Sequence, residues 1–324
     1  MPIHVLVLNY NGRKLLADCL PSVLAAAAAS RHDCRAAVID NGSTDDSLAV
    51  LREQFPNVRV ICRPNRGLCS FNAVLAELDG PAAVLLNNDI RLAPDAIDPL
   101  VDPLLEAGTD CFLTAPLCWR FDGETYEGLR TAVRWRWGLV QATALFPGNE
   151  ALRYAPGLTA SAGAVIGVGL AKFLALGGFD PLFLPGRLED LDFAFRGYQA
   201  GWHACYVPQS VAWHLGQATF ERELGAAGCD ALALRNTLLF QWKNLRHPLH
   251  LLRQAVGLPL RLALDLVRAP RLCPERRFAF ARALLSAGRR WRAAQQSPFR
   301  GQLMLDRELR FFRRFHPSCQ GGHG

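Results

Sequence analysis

Four short apolar runs, Ile3 to Leu8, Ala36 to Ile39, Val58 to Ile61 and Ala82 to Leu86, alternate with longer stretches rich in Leu and Ala across the first third of the chain. Runs this short suit strands, and each gap leaves room for a helix, so the pattern predicts βαβ units on a parallel sheet. Helices are expected over 13–29, over 44–54 with Ser43 as N-cap, and over 69–78 after Gly67. Each run ends in a polar cluster: Asn9-Tyr10-Asn11-Gly12, Asp40-Asn41-Gly42-Ser43, Arg63-Pro64-Asn65-Arg66-Gly67 and Asn87-Asn88-Asp89. Open α/β sheets bind ligands at the carboxyl ends of their strands, so the four clusters are expected to meet in one crevice.

With 324 residues, half of them hydrophobic, the chain can bury one main domain and an appendage. Its 10 Cys contain no C-x-x-C pair and read as reduced, mostly buried small hydrophobes, which fits a cytoplasmic location. The opening Met1-Pro2-Ile3-His4 runs straight into a strand pattern without the features of an export signal. Leu245 to Val267 is interrupted by Arg246, Arg253, Arg261 and Asp265, too many charges for a bilayer span.

The net charge of +7 is unevenly placed: residues 241–324 carry 17 Lys and Arg against 4 Asp and Glu, while residues 1–240 carry 19 against 25. That shift suggests a domain over 1–240 and a basic helical region over 241–324. In the latter, Leu249, Leu252, Val256, Leu260, Leu264 and Val267 recur near a 3.6-residue period with arginines between them. Such a helix suits an anionic membrane surface, which predicts a peripheral protein on the inner face of the cytoplasmic membrane; packing on the main domain with solvated arginines is the plainer reading. The tail contains no recognisable nucleic-acid-binding module, so no nucleic-acid partner is expected.

Between the two parts, Arg130 to Trp137 forms an aromatic and basic patch that suits either an acceptor-contacting loop or a turn with packed tryptophans. A small-residue strand is expected near 161–169, a short helix over 170–176, a helix over 189–200 ending at Gly201, and a strand pair over 203–207 and 211–214. Glu189-Asp190 opens a helix with His214 downstream, which offers a general base and a metal ligand. Acids at a helix N-terminus are also favoured by its dipole, and a lone histidine is often structural.

Three segments taken in order resemble an inverting family 2 glycosyltransferase of the GT-A fold. They are Val38-Ile39-Asp40-Asn41-Gly42-Ser43-Thr44-Asp45, then Asn65-Arg66-Gly67 with Asn72, and the block from Gly177-Gly178-Phe179-Asp180 through Glu189-Asp190-Leu191-Asp192 to His214. The similarity covers roughly residues 3–245 and is greatest to the rhamnosyltransferase-like branch acting on cell-envelope or exopolysaccharide glycans. It implies a Rossmann-like three-layer α/β/α domain with a mixed central sheet, followed by the C-terminal helical extension.

The resemblance implies that a UDP- or dTDP-sugar donor is held by Asn9, Asn11, Asp40, Asn65, Gly67, Asn72, Asn87, Asn88, Asp89 and Gly163. Asp40 would accept from a base imide or ribose hydroxyls; an Asx-turn acid is its structural alternative. Asn87-Asn88-Asp89 takes the position of the family's DxD motif with Asn in place of the first acid. Asp89 is left as the direct carboxylate ligand, with His214, for Mn²⁺ or Mg²⁺. Asp190 would be the base that deprotonates an acceptor hydroxyl, Glu189 its helper, and Asp192 a structural partner of Arg196. Arg196, Arg235 and Asn236 are further candidates for diphosphate or acceptor contact. The implied acceptor is lipid-linked or a polysaccharide. A non-catalytic alternative is a glycan-precursor-binding or scaffold protein at the membrane. Nucleotidyltransferases and Rossmann dehydrogenases are disfavoured because neither a glycine-rich phosphate loop nor G-x-G-x-x-G follows the first strand.

Overall fold

A computed structural model describes residues 1–128, 130–144, 150–216, 218–271, 274, 277–300 and 303–317, with the backbone alone described for 218–223 and 300. The strands are β1 (Ile3–Asn9), β2 (Cys34–Asp40), β3 (Arg59–Cys62), β4 (Ala82–Asn87), β5 (Ile90–Leu92), β6 (Cys111–Arg120), β7 (Tyr126–Gly128), β8 (Ala132–Arg136), β9 (Leu139–Thr143), β10 (Gly157–Leu158), β11 (Val165–Gly169) and β12 (His203–His214). The helices are α1 (Arg13–Ala29), α2 (Ser47–Gln54), α3 (Ser70–Leu75), α4 (Ile97–Leu105), α5 (Leu170–Ala175), α6 (Glu189–Ala200), α7 (Ala218–Asn244), α8 (Pro248–Arg268), α9 (Ala279–Arg289), α10 (Trp291–Gln295) and α11 (Leu305–Arg314).

The main sheet runs β10-β12-β6-β11-β4-β1-β2-β3. β1 pairs in parallel with both β2 and β4, and β2 with β3, which is the predicted βαβ half. β11 then lies antiparallel between β4 and β6, so the sheet is mixed, as expected of the three-layer α/β/α arrangement. The central strands are apolar on both faces, and Val5, Val38, Val84 and Leu113 are fully buried. On α1, Leu16, Cys19, Leu20, Val23 and Ala26 recur at three- and four-residue steps and are its buried positions.

Several boundaries differ from expectation. α2 starts at Ser47 rather than Thr44, because Ser43 Oγ is taken by Asn9 Nδ2 and the Asn11 backbone N–H instead of capping the helix. The helix expected over 69–78 begins as a 3₁₀ turn at Gly67 and ends at Leu75. The expected strand pair near 203–214 is the single strand β12, with its register to β6 shifted between Val207 and Val211, around Pro208, which has no N–H to give the ladder. The middle region is more regular than its sequence suggests. β6 is a 10-residue core strand, and Arg130 to Trp137 leads into the β8–β9 hairpin.

The compositional change near residue 240 falls inside α7, where Leu238, Leu239 and Phe240 are fully buried. Lys243, three residues on, is wholly buried and holds Asp192 and Asp180 at 2.8 and 2.7 Å. Glu308 of α11 accepts the N–H groups of Arg246 and His247 and bonds His250 Nδ1 at 2.6 Å. Trp135 of the aromatic patch stacks on the His250 ring with centroids 5.1 Å apart, whereas Trp137 is 52% exposed. The helical extension is thereby knitted to the sheet domain.

α8 is turned with its apolar stripe outward. His250, Gln254 and Gly257 face the protein, while Leu252, Val256 and Val267 are 61%, 62% and 69% exposed. Gly257 sits so close to the Gly138 backbone that a Cβ there would overlap it. No helix among the described residues is long and apolar enough to cross a membrane. The eight described cysteines are free, and Cys273 and Cys319 lie outside the described residues.

Candidate active site

The carboxyl ends of β1, β2 and β4 open onto a cavity of about 520 Å³, closed on the far side by Ser161 to Ala164 and the start of α6. Asn65, Gly67, Asn87, Asn88, Asp89, Gly163, Glu189, Asp190 and His214 all line it. Two acidic clusters far apart in sequence therefore share one space. Gly67 has φ +51°, and a Cβ there would press on the Pro185 carbonyl oxygen, which brings the early loop against the segment leading to α6.

Asn9, Asn11, Asp40 and Asn72 are not among the lining residues. Asp40 is buried, with Oδ1 accepting from Asn9 Nδ2 and Oδ2 from the Ser43 N–H three residues on, one residue further than an Asx-turn would reach. Asn9 Oδ1 in turn accepts from Asn88 Nδ2, so this network supports the floor beneath Asn88. Asn11 Oδ1 accepts the N–H groups of Thr44 and Asp45. Asn72 clamps the Phe179 backbone through both its amide groups. The residue that faces the cavity from the β2 end is Asn41, whose amide binds Asn65 Oδ1 and the Gly67 carbonyl.

β5 pairs antiparallel with the end of β12, with Ile90 opposite His214, and this register carries Asp89 to the imidazole. His214 Nε2 lies 3.3 Å from Asp89 Oδ2 and its Nδ1 3.3 Å from Glu127 Oε1. Burial opposes the charged imidazolium, but the hydrogen bonds and charges of Asp89 and Glu127 outweigh it and raise the His214 pKa to about 9. Glu127 also lines the cavity and is braced by Arg120 Nε at 3.0 Å.

At the opposite wall, the N-terminus of α6 presents Glu189 and Asp190 after a left-handed Leu188. Ser161 Oγ donates to Asp190 Oδ2 at 2.8 Å. Burial raises the pKa of Asp190 despite that bond. Burial, with repulsion from Asp190, pushes Glu189 up to about 8, and its Oε2 has no hydrogen-bond partner. Such a pair offers one oxygen held in place and others free to meet a hydroxyl.

Asp192 points away from the cavity. It is fully buried among Arg196 Nε at 2.9 Å, Lys243 Nζ and Asn244 Nδ2, which confirms the expected i,i+4 pair and adds two partners. Arg196 also donates to the carbonyls of Leu176 and Gly178, and Asn236 Nδ2 donates to those of Phe183, Gly186 and Arg187. Arg235 donates to Asn236 Oδ1 and the Leu184 carbonyl. These candidates for diphosphate or acceptor contact are thus committed to holding the loop before α6.

A family model described as "Glycosyl transferase family 2" matches residues 4–156. The chain carries a family 2 glycosyltransferase domain. The match ends before α6 and β12, so Glu189, Asp190 and His214 lie beyond it. The chain is 31% identical over 104 residues to chondroitin synthase of Escherichia coli, covering 31% of this chain and 15% of that protein. It is 33% identical over 107 residues to an uncharacterized glycosyltransferase of Nostoc sp., covering 32% of each. The chain therefore spans less than a third of the length of these relatives. Among solved structures, GalNAc-T7 with UDP, GalNAc and Mn²⁺ superposes with TM-score 0.58 at 18% identity, over 97% of this chain and 56% of that one. The arrangement of the chain is thus the GT-A fold.

Proposed function

We propose that this chain is an inverting glycosyltransferase that moves a sugar from a UDP- or dTDP-linked donor to a hydroxyl of a lipid-linked or polysaccharide acceptor in envelope or exopolysaccharide glycan synthesis. The observation that carries the reading is the shared cavity with Asp89 and His214 on one wall and Glu189-Asp190 on the other. The likeness to a transferase solved with UDP, and the family 2 match over 4–156, support the donor class.

Asp190 is the base. Ser161 holds one of its oxygens, and burial makes the carboxylate more basic than an exposed aspartate, which favours proton uptake from an acceptor hydroxyl. The partnerless Glu189 Oε2, on a carboxyl that is mostly protonated at neutral pH, hydrogen-bonds and orients that acceptor. Asn41, Asn65, Asn88 and the backbone at Gly67 and Gly163 line the donor's side.

The donor set of Asp89 and His214 fits a divalent cation, Mn²⁺ by virtue of the imidazole or Mg²⁺ with more water. Asp89 Oδ2 and His214 Nε2 face the same space, while Glu127 takes Nδ1 and sets the ring's orientation. When bound, such a cation neutralises the departing diphosphate. Asn87 leaves Asp89 as the one carboxylate of the DxD position.

The outward stripe of α8, with Leu285 of α9 and Trp291 also exposed at 69% and 50%, would lie on an anionic bilayer, the basic residues of 241–324 supplying the attraction. That would hold the protein peripherally on the cytoplasmic face, the surface on which a lipid-linked acceptor is presented.

Donor and metal are tested together by thermal shift with UDP-, dTDP- and GDP-sugars, each with and without Mn²⁺, followed by turnover on the stabilising donor. Stabilisation by a UDP- or dTDP-sugar is expected, and stabilisation by none of them would reject the reading. Turnover absent on a tightly bound donor would favour the scaffold alternative. For the membrane, the full chain and its Leu252→Asp/Val256→Asp variant are sedimented with anionic vesicles, and equal binding would reject the α8 surface.

A further inference from the structure

At the opposite end of β6 and β12 from the cavity, Cys111, His203 and Cys205 come together with their ligating atoms all within 4.8 Å of one another. Cys111 opens β6, His203 opens β12, and the two are direct register partners across the parallel pair. Cys205 follows His203 by two residues on the same face of the strand. The spacing within sequence gives no hint of this set, because the strand pairing assembles it.

We propose that these three side chains form a binding site for a thiophilic divalent cation of the Zn²⁺ class, separate from the site at Asp89 and His214. Zinc–sulfur bonds of about 2.3 Å and zinc–nitrogen bonds of about 2.0–2.1 Å place tetrahedral ligands roughly 3.5–3.8 Å apart, so only a small closure of the set is needed. Cys111 is buried and the other two are half-buried, which leaves a fourth position open on one side. Asp110 flanks it, its backbone oxygen accepting the His203 N–H and its carboxylate within electrostatic reach of the imidazole. Lys172 Nζ also stands near, bonded to the carbonyls of Thr109 and Cys111.

The two sites differ in chemistry and place. Two thiols and an imidazole are soft donors, whereas Asp89 offers hard oxygen. His203 and His214 are the two ends of β12, separated by more than about 30 Å of extended strand. A metal at the former joins the starts of the strand pair whose far end delivers His214. This inference does not depend on the proposed reaction.

The test is anaerobic titration of the reduced, chelator-washed full chain with Co²⁺, read by thiolate-to-metal charge-transfer and d–d absorption. One equivalent with thiolate absorption is expected, displaced by Zn²⁺. Cys205→Ser and the half-buried His203→Ala should each weaken binding at least about tenfold, the lower bound for losing even an outer-shell partner. Asp89→Ala and Cys62→Ser should leave the thiolate-to-metal band unchanged. No thiolate band, or a band that survives both Cys205→Ser and His203→Ala, overturns the proposal. So does a thiol titration that finds Cys111 and Cys205 joined as a disulfide resistant to the reductant.

Discussion

His214 is gripped from both ring nitrogens, Nε2 by Asp89 and Nδ1 by Glu127, each at 3.3 Å. The two carboxylates are not equivalent. Asp89 shares its side of the ring with the cavity end of β4, whereas Glu127 arrives on β7 and is itself anchored by Arg120.

This asymmetry predicts graded metal loss. Glu127→Gln should weaken Mn²⁺ binding by about 10–100-fold, as expected of an outer carboxylate behind a ligating histidine. His214→Ala and Asp89→Ala should weaken it more. Isothermal titration of all three variants checks the order, and an effect of Glu127→Gln equal to that of Asp89→Ala would make Glu127 a direct ligand.

Asp190→Asn should lower kcat by about 10²–10⁴-fold while donor affinity holds, the loss typical of a general base. Ser161→Ala has a different signature. Removing the hydroxyl that steadies the Asp190 carboxylate raises its pKa further, so the acid limb of the pH–rate profile should move to higher pH. A profile that stays in place separates Asp190 from the rate-limiting proton transfer.

Glu189 predicts a pH dependence of stability. Its pKa is near 4.5 when unfolded and about 8 in the fold, so the folded state keeps a proton that the unfolded state has lost over that interval. The contribution is fully present below about pH 4.5 and is lost as pH rises towards 8. Glu189→Gln cannot ionise, and its Tm should gain on the wild type progressively between those limits. Parallel melting curves across the range would remove the buried-proton account.

Lys243 predicts a large packing effect. Its ammonium is wholly buried against Asp192 and Asp180, so Lys243→Met takes the cation from Asp180 and leaves Asp192 with Arg196 alone for counter-charge in the interior. Destabilisation of about 3–5 kcal/mol is expected. Denaturant unfolding of the variant measures it, and a double Lys243→Met/Asp192→Leu variant should recover part of the loss.

The βαβ half was readable because its strands are apolar on both faces and its helices are periodic; the bounds of α1 and α6 are those expected. The polar strand ends also located the cavity. What they did not reveal was which residue faces it. Successive residues of an extended strand point to opposite sides, so at the end of β2 Asp40 turns into the Asn9 network while Asn41 turns to the cavity. Glu127 was illegible for another reason. β7 is three residues long, carries no periodicity, and reaches His214 only through its pairing with β6, which pairs with β12. The outward roll of α8 was likewise hidden, since a 3.6-residue period reports a stripe but not the side on which it lies.

The course of α7 across residue 240 limits how this chain can be recombined with others. A chimera that joins the sheet of this chain to another helical tail at the compositional break would separate Phe240 from Lys243 within one helix and leave Asp192 facing a foreign surface. Module exchange would have to cut no later than the kink at Gly225 and carry the helical stretch from there to Asn244, together with a matching partner for Asp192.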